Sequence, residues 1–77
     1  APKSVLIVGG GVIGCEFASI FRTFGSEVTI VEMMDQLLPS EDTEIARKIE
    51  QIFKKRDIKV FTGTKAEEIK EENGDEN

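Results

Sequence analysis

The glycines at residues 9–14 constrain this chain more than any other sequence feature. They follow an apolar run at 5–8 and lead into an amphipathic segment. Gly9, Gly11 and Gly14 have the Gly-x-Gly-x-x-Gly spacing, which permits a sharp turn, close approach of a phosphate to the main chain, and tight helix–strand packing, respectively. The pattern predicts a strand–turn–helix unit that binds the pyrophosphate of a dinucleotide, although a ligand-free turn would share it.

Apolar periodicity predicts the elements on either side of this turn. The run at 5–8 does not alternate, which is typical of a strand buried on both faces of a parallel sheet. Apolar residues then recur at helical spacing and form a first stripe: Ile13, Phe17, Ile20, Phe21 and Phe24. A second helix has its own apolar stripe: Ile45, Ile49, Ile52 and Phe53. Ser40 is the predicted N-cap of this second helix.

Short apolar runs at 28–31 and 58–61 predict two further strands, and the tail from Thr64 is interpreted as a strand entering a hairpin at Asn73-Gly74. The order βαβαβ indicates an α/β, Rossmann-like, three-layer nucleotide-binding fold. We expect residues 1–77 to be one partial NAD(H)-binding domain whose final strands are missing. The first residue is not methionine, so a longer parent chain is expected.

Composition excludes several other classes of function. The chain has 77 residues, a mixed surface with net charge -5, no histidine and one cysteine. A disulfide within the chain and a Cys/His zinc site are therefore ruled out. The acidic balance argues against nucleic acid and an anionic membrane as partners, and no apolar run approaches the ~20 residues of a membrane span. A lone cysteine suits a reducing, cytoplasmic setting.

Glu32 is the second candidate binding residue, because it closes the second strand 18 residues after Gly14. A carboxylate there would accept hydrogen bonds from both hydroxyls of an adenine ribose. It would repel the 2′-phosphate of NADP by roughly 4 kcal/mol at ~4 Å and an effective dielectric of about 20. Residues 33–35 supply no lysine or arginine, so NAD is expected instead of NADP. A merely polar strand end is the alternative.

Two residues of the first helix have simpler interpretations from the sequence alone. Glu16 is a first-turn acid that would interact with the helix dipole. Cys15 is interpreted as a small apolar filler, because a dithiol mechanism needs a partner cysteine and the chain has none.

Several segments together resemble the NAD domain of the pyridine nucleotide–disulfide oxidoreductases, and within that family most resemble the dihydrolipoamide dehydrogenases. The segments are VGGGVIGCEFA at 8–18, FGSEVTIVE at 24–32, LP at 38–39 with Asp42 and Glu44-Ile45, and TKA at 64–66. The glutamate two residues after the third glycine is a family detail that a bare dinucleotide fingerprint does not require.

This resemblance implies a set of cofactor-binding residues. The pyrophosphate would be wrapped by one continuous segment: Gly9, Gly10, Gly11, Val12, Ile13, Gly14, Cys15 and Glu16. Glu16 would reach the nicotinamide-side ribose, and Glu32 would hold the adenine-side ribose. Ala66 stands where the family usually has valine, at a position whose main chain lies along the adenine.

The resemblance also implies NAD in this chain, FAD elsewhere in a homodimeric parent flavoenzyme, and the remaining domains of that enzyme as partners. The family's redox cysteine pair and its histidine–glutamate pair are absent here, so we expect no catalytic residue, no metal site and no turnover by this piece alone. Four alternatives stay open: another family member such as an NADH oxidase, peroxidase or mercuric reductase-like enzyme; FAD at the glycine turn; a non-catalytic NAD sensor; and a scaffold without a ligand.

Overall fold

The computed structural model describes residues 2–68, which form three parallel strands and two helices. In chain order these are β1 (Ser4–Val8), α1 (Val12–Thr23), β2 (Glu27–Val31), α2 (Thr43–Lys55) and β3 (Lys59–Phe61). The sheet order is β1-β2-β3, with Val5 opposite Val28 and Ile30 opposite Val60. The predicted βαβαβ order and Rossmann-like α/β class are confirmed.

Both helices pack on the same face of the sheet. That face carries Val28 and Ile30, and one buried cluster joins them to Ala18 of α1 and Phe53 of α2. Right-handed crossovers that advance in one direction across a sheet place successive helices on one side, which accounts for this arrangement. The guanidinium of Arg56 ties the two helices together by donating to Ser19 Oγ at 2.7 Å.

The opposite face of the sheet is not covered by any helix among residues 2–68. Burial along β1 therefore alternates, and Leu6 and Val8 are 49% and 67% exposed. The prediction that β1 is buried on both faces is wrong for the described chain. An unbroken apolar run is compatible with two covered faces, but it does not say which elements cover them.

Most of the apolar stripe of α1 points away from the core, contrary to what an amphipathic pattern predicts, and Phe21 is the member that packs against it. Four of its members are at least half exposed: Ile13, Phe17, Ile20 and Phe24. The side chains of α1 that are buried are Cys15 and Ala18. Small residues face the sheet because helix and strand approach closely: a Cβ on Gly14 would overlap the carbonyl oxygen of Gly9.

The second helix differs from its prediction at its N-terminus and on its buried side. Its N-cap is Asp42, whose carboxylate accepts a hydrogen bond from the Glu44 N–H at 2.8 Å, so the assignment to Ser40 was wrong. Helix α2 therefore begins two residues later than the Ser40 assignment implied. The buried residues are Ala46 and Phe53, whereas two members of the predicted stripe, Ile45 and Ile52, are half exposed.

The predicted strand from Thr64 is replaced by a helical turn at 66–68. The Glu68 carboxylate accepts a hydrogen bond from the Lys65 N–H at 2.9 Å, and the Glu68 N–H donates to the Lys65 carbonyl at 3.0 Å. These reciprocal bonds satisfy main-chain groups that a strand would have left for pairing. The predicted hairpin at Asn73-Gly74 lies outside the described residues.

Candidate functional site

The glycine turn follows β1 and leads into α1, where the steric functions predicted for its first and third glycines are confirmed. Gly9 has a φ of 104°, a left-handed conformation that side chains disfavour, so the chain turns there. Gly14 lies against the main chain of Gly9 and the Ile7 side chain, which leaves no room for a Cβ. A Cβ on Gly11 would meet nothing within 4 Å, so Gly11 borders open space.

The N-terminus of α1 opens beside Gly11. Gly11 is the N-cap residue and supplies no side-chain hydrogen bond, and the first turn contains no acidic residue. The first N–H groups of the helix are thus left for an external acceptor, and the helix dipole favours an anion there. Glu16 is not a first-turn acid as predicted, because it is the fifth residue of α1.

The carboxylate of Glu32 is buried and holds two main-chain groups. Glu32 is 7% exposed, which contradicts the alternative of a merely exposed strand end. Its Oε1 accepts a hydrogen bond from the Gly10 N–H and its Oε2 from the Met34 N–H, both at 2.7 Å. Each carboxylate oxygen can accept two hydrogen bonds and here accepts one, so each keeps one acceptor position for a ligand.

Gly10 has a steric function that the fingerprint leaves unassigned. A Cβ there would lie 2.6 Å from Leu37 Cδ2 and 3.4 Å from Glu32 Oε1. Because Gly10 has no side chain, the fully buried Leu37 and the Glu32 carboxylate pack directly against the turn. Sequence reasoning missed this contact, because Leu37 lies in a connection without periodicity.

A cleft of about 500 Å³ lies at the carboxyl ends of β1 and β2. It brings together three predicted site residues from distant parts of the chain, Gly9, Glu32 and Ala66. The Thr64 N–H donates to the Glu32 carbonyl at 3.1 Å, which holds the segment carrying Ala66 against the strand end. Lys65 also lines the cleft, a cation that sequence reasoning missed because it considered only residues 33–35.

A second cleft, of about 470 Å³, lies along α1 and contains two other predicted residues. Its lining comes entirely from that helix: Ile13, Glu16, Phe17, Ser19 and Ile20. None of these residues lines the first cleft. The first cleft includes Gly9 at the start of the glycine turn, together with Glu32 and Ala66, and the second includes Ile13 near the end of the turn, together with Glu16.

Cys15 has the filler role predicted for its side chain. It is buried, and its Sγ lies 3.5 Å from the Gly10 carbonyl oxygen. Burial, and to a lesser extent the Glu32 carboxylate, raises the pKa of the Cys15 thiol. A raised pKa keeps the thiol protonated and weakly nucleophilic, so its side chain is not suited to redox chemistry.

Residues 2–68 contain no helix that is both long and apolar enough to cross a membrane. Across the same residues, no three His, Cys, Asp or Glu side chains are grouped so that they could hold a metal ion.

Comparison with known sequences gives consistent matches to one group of enzymes. A family model described as "Pyridine nucleotide-disulphide oxidoreductase" matches residues 4–76. A dihydrolipoyl dehydrogenase from Mycobacterium leprae is 48% identical over 68 residues, covering 88% of this chain and 15% of that protein. One from Bacillus subtilis is 50% identical over 64 residues, covering 83% and 14%. The chain thus spans about 15% of the length of these curated relatives.

Comparison with solved structures gives neighbours that are several times longer than this chain. The water-forming NADH oxidase from Lactobacillus brevis, bound to NADH, has a TM-score of 0.77 and 29% identity, covering 79% of this chain and 14% of that chain. A ferredoxin reductase from Rhodopseudomonas palustris has a TM-score of 0.81 and 31% identity, covering 83% and 16%.

Proposed function

The chain belongs to the pyridine nucleotide-disulphide oxidoreductase family, and from this premise we propose that residues 1–77 are part of an NAD(H)-binding domain. In the longer protein, this domain presents the nicotinamide of NAD(H) to a flavin held elsewhere. NAD(H) supplies the hydride chemistry, and the protein supplies binding and orientation. The observation that carries the proposal is the open space beside Gly11 at the uncapped N-terminus of α1.

The pyrophosphate fits the glycine turn for steric and electrostatic reasons. The missing side chain of Gly11 leaves room for phosphate oxygens to approach the main chain. The free N–H groups of the first turn of α1 would donate to those oxygens, and no first-turn acid repels them. The segment from Gly9 to Glu16 would then bind through its main chain, including at Cys15, whose side chain is buried.

The two clefts on either side of the turn suit the two halves of a dinucleotide. The adenosine half would occupy the cleft of Glu32 and Ala66, with the remaining acceptor positions of Glu32 directed at the ribose hydroxyls. The nicotinamide half would run toward Ile13 and Glu16. Lys65 would partly offset the repulsion between Glu32 and a 2′-phosphate, so the preference for NADH over NADPH should be smaller than Glu32 alone implies.

The sequence relatives favour a dihydrolipoyl dehydrogenase as the longer protein. We place this enzyme in the cytoplasm as a homodimer with FAD, with its remaining domains as partners of this chain. An NADH oxidase is the second candidate, supported by the structural similarity to the Lactobacillus brevis enzyme.

Calorimetric titration of the chain with NADH and NADPH tests the proposal. We expect NADH to bind more tightly than NADPH, and Gly11→Val to abolish binding of both because its side chain would occupy the phosphate position. Gln51→Val is the control, because it introduces the same side chain at an exposed position of α2 outside both clefts. Absence of NADH binding by the unaltered chain would refute the proposal.

A further inference from the structure

The peptide group between Gly10 and Gly11 is held from outside the glycine turn. The Gly10 carbonyl oxygen accepts a hydrogen bond from the Leu38 N–H at 2.7 Å. In a planar trans peptide, the N–H of the next residue points opposite to this carbonyl. The bond from Leu38 therefore turns the Gly11 N–H away from Leu38. The space beside Gly11 is open, because a Cβ on this residue would meet no atom within 4 Å.

Such an external bond is needed because glycine offers little resistance to rotation. With no Cβ on Gly10 or Gly11, the peptide between them has two accessible orientations. In the reversed orientation, a carbonyl oxygen and not an N–H would face a bound anion. The free energy of anion binding thus depends on what keeps the Gly10 carbonyl pointing at Leu38.

Leu38 itself is in a conformation that its own backbone does not favour. Its φ is 50°, a left-handed value uncommon for residues other than glycine. Such a conformation persists only where surrounding contacts impose it. The preceding residue, Leu37, is fully buried in the core and anchors the segment from one side.

The Leu38 carbonyl accepts one hydrogen bond from the Glu41 N–H at 2.8 Å and a second from the side chain of Gln36, which is 8% exposed. Its Nε2 donates to the Leu38 carbonyl at 3.3 Å and to the Glu41 carbonyl at 3.0 Å. Its Oε1 accepts a hydrogen bond from the Thr43 hydroxyl at 2.9 Å, which connects the segment to the start of α2. One buried amide thus joins Leu38 to a helix terminus.

We propose that Gln36 is a positioning residue of the coenzyme site, which holds Leu38 so that its N–H orients the Gly10–Gly11 peptide toward the pyrophosphate. This inference rests on the proposed function, because the pyrophosphate is the ligand that the Gly11 N–H would meet. Gln36 touches neither cleft, so it acts on the ligand only through Leu38 and Gly10.

The test compares Gln36→Ala with Gln51→Ala, the same change at an exposed position of α2. Affinities for NADH and for inorganic pyrophosphate are measured by calorimetry, and the Gly11 and Leu38 amides are followed by NMR. We expect Gln36→Ala to weaken both ligands by a similar factor of about ten, to shift the Gly11 amide resonance, and to speed hydrogen exchange at Leu38. Gln51→Ala should change none of these.

A milder variant keeps the test decisive if Gln36→Ala unfolds the chain. Thr43→Val removes the hydrogen bond to Gln36 Oε1 and should weaken both ligands about threefold.

The results separate this inference from the proposed function. If the unaltered chain binds NADH and Gln36→Ala binds it equally well with an unchanged Gly11 amide, the positioning role is refuted and the proposed function stands. If the unaltered chain binds neither NADH nor pyrophosphate, both are refuted.

Discussion

At the scale of single residues, the carboxylate of Glu32 joins three parts of the chain. It extends from the end of β2, accepts from the Gly10 N–H on one side and accepts from the Met34 N–H on the other. Its charge therefore stabilises the glycine turn in addition to any contact with a ribose. Charged hydrogen bonds of this kind contribute about 1.5–3 kcal/mol each, so removal of the charge affects both roles.

Replacing Glu32 by glutamine should reduce the preference of the chain for NADH over NADPH. Glu32→Gln loses one acceptor and the charge, so NADH affinity should fall at least about tenfold. NADPH affinity should fall less, because the repulsion of the 2′-phosphate is removed as well. Calorimetry of both coenzymes measures the ratio, and Glu27→Gln at the other end of β2 is the control. An unchanged ratio would exclude a ribose role for Glu32.

Cys15 gives a pH dependence whose sign follows from its raised pKa. The folded chain holds the thiol proton more tightly than the unfolded chain, so this contribution to stability is complete below the ordinary thiol pKa of about 8.5. It is lost as the pH rises from that value through the raised pKa of the folded state. Urea unfolding between pH 7 and 10 should show this decline, and Cys15→Ala should show a smaller one. Rapid alkylation of the folded chain at pH 8 would contradict the raised pKa.

At the scale of elements, the orientation of α1 follows from its small residues and not from its large ones. Gly14 and Ala18 allow the helix to lie close to β1 and β2, and a large side chain at either position would force it away. The apolar stripe is displaced to the outer side as a consequence. Close packing of α1 on the sheet is therefore accompanied by exposure of Ile13, which is 67% exposed on the outer side.

Two substitutions in α1 test this orientation. Ala18→Leu inserts volume at a position that is 0% exposed and should cost about 1–3 kcal/mol in the free energy of unfolding. Ile20→Lys, on the outer stripe, should change that free energy by less than about 0.5 kcal/mol. Urea unfolding of both variants measures the difference. A larger loss at Ile20 than at Ala18 would mean that the stripe faces the core.

At the scale of the whole molecule, the described chain exposes apolar surface on both sides. One surface is the uncovered face of the sheet, with Leu6, Val8 and Phe61, and the other is the outer stripe of α1. Contiguous apolar surface of this kind promotes association. The described residues therefore provide the sheet and one helix layer of the expected three-layer fold.

The uncovered sheet face should make the chain associate at high concentration. Replacing Leu6 and Val8 together by threonine retains side chains suited to a strand while reducing the apolar area. Sedimentation velocity should show a mean mass that rises with concentration for the unaltered chain and rises less for the double variant. Ile52→Thr, an exposed change on α2, is the control and should have little effect. Equal association of all three would rule out the sheet face as the cause.

The sequence by itself determined the βαβαβ order, the glycine turn, the place of Glu32 at the end of the second strand, and the family. These features depend on local periodicity and on fixed spacings, which a single sequence displays directly. The roles of the site residues in coenzyme binding stay predictions, since no ligand contact tests them.

Only the tertiary structure showed which side of α1 is buried, which contacts leave no room for a side chain at Gly10, and which main-chain groups donate to Glu32. It also decided that residues 66–68 form a helical turn and that Asp42 caps α2. The helical turn and the Asp42 cap rest on short-range bonds, Lys65 with Glu68 and Asp42 with Glu44, at places where the sequence is compatible with more than one local structure. The other outcomes depend on contacts such as the bond between Gly10 and Glu32, which are 22 residues apart. Residues so far apart meet only after the sheet has assembled, and no periodicity in the chain records that meeting.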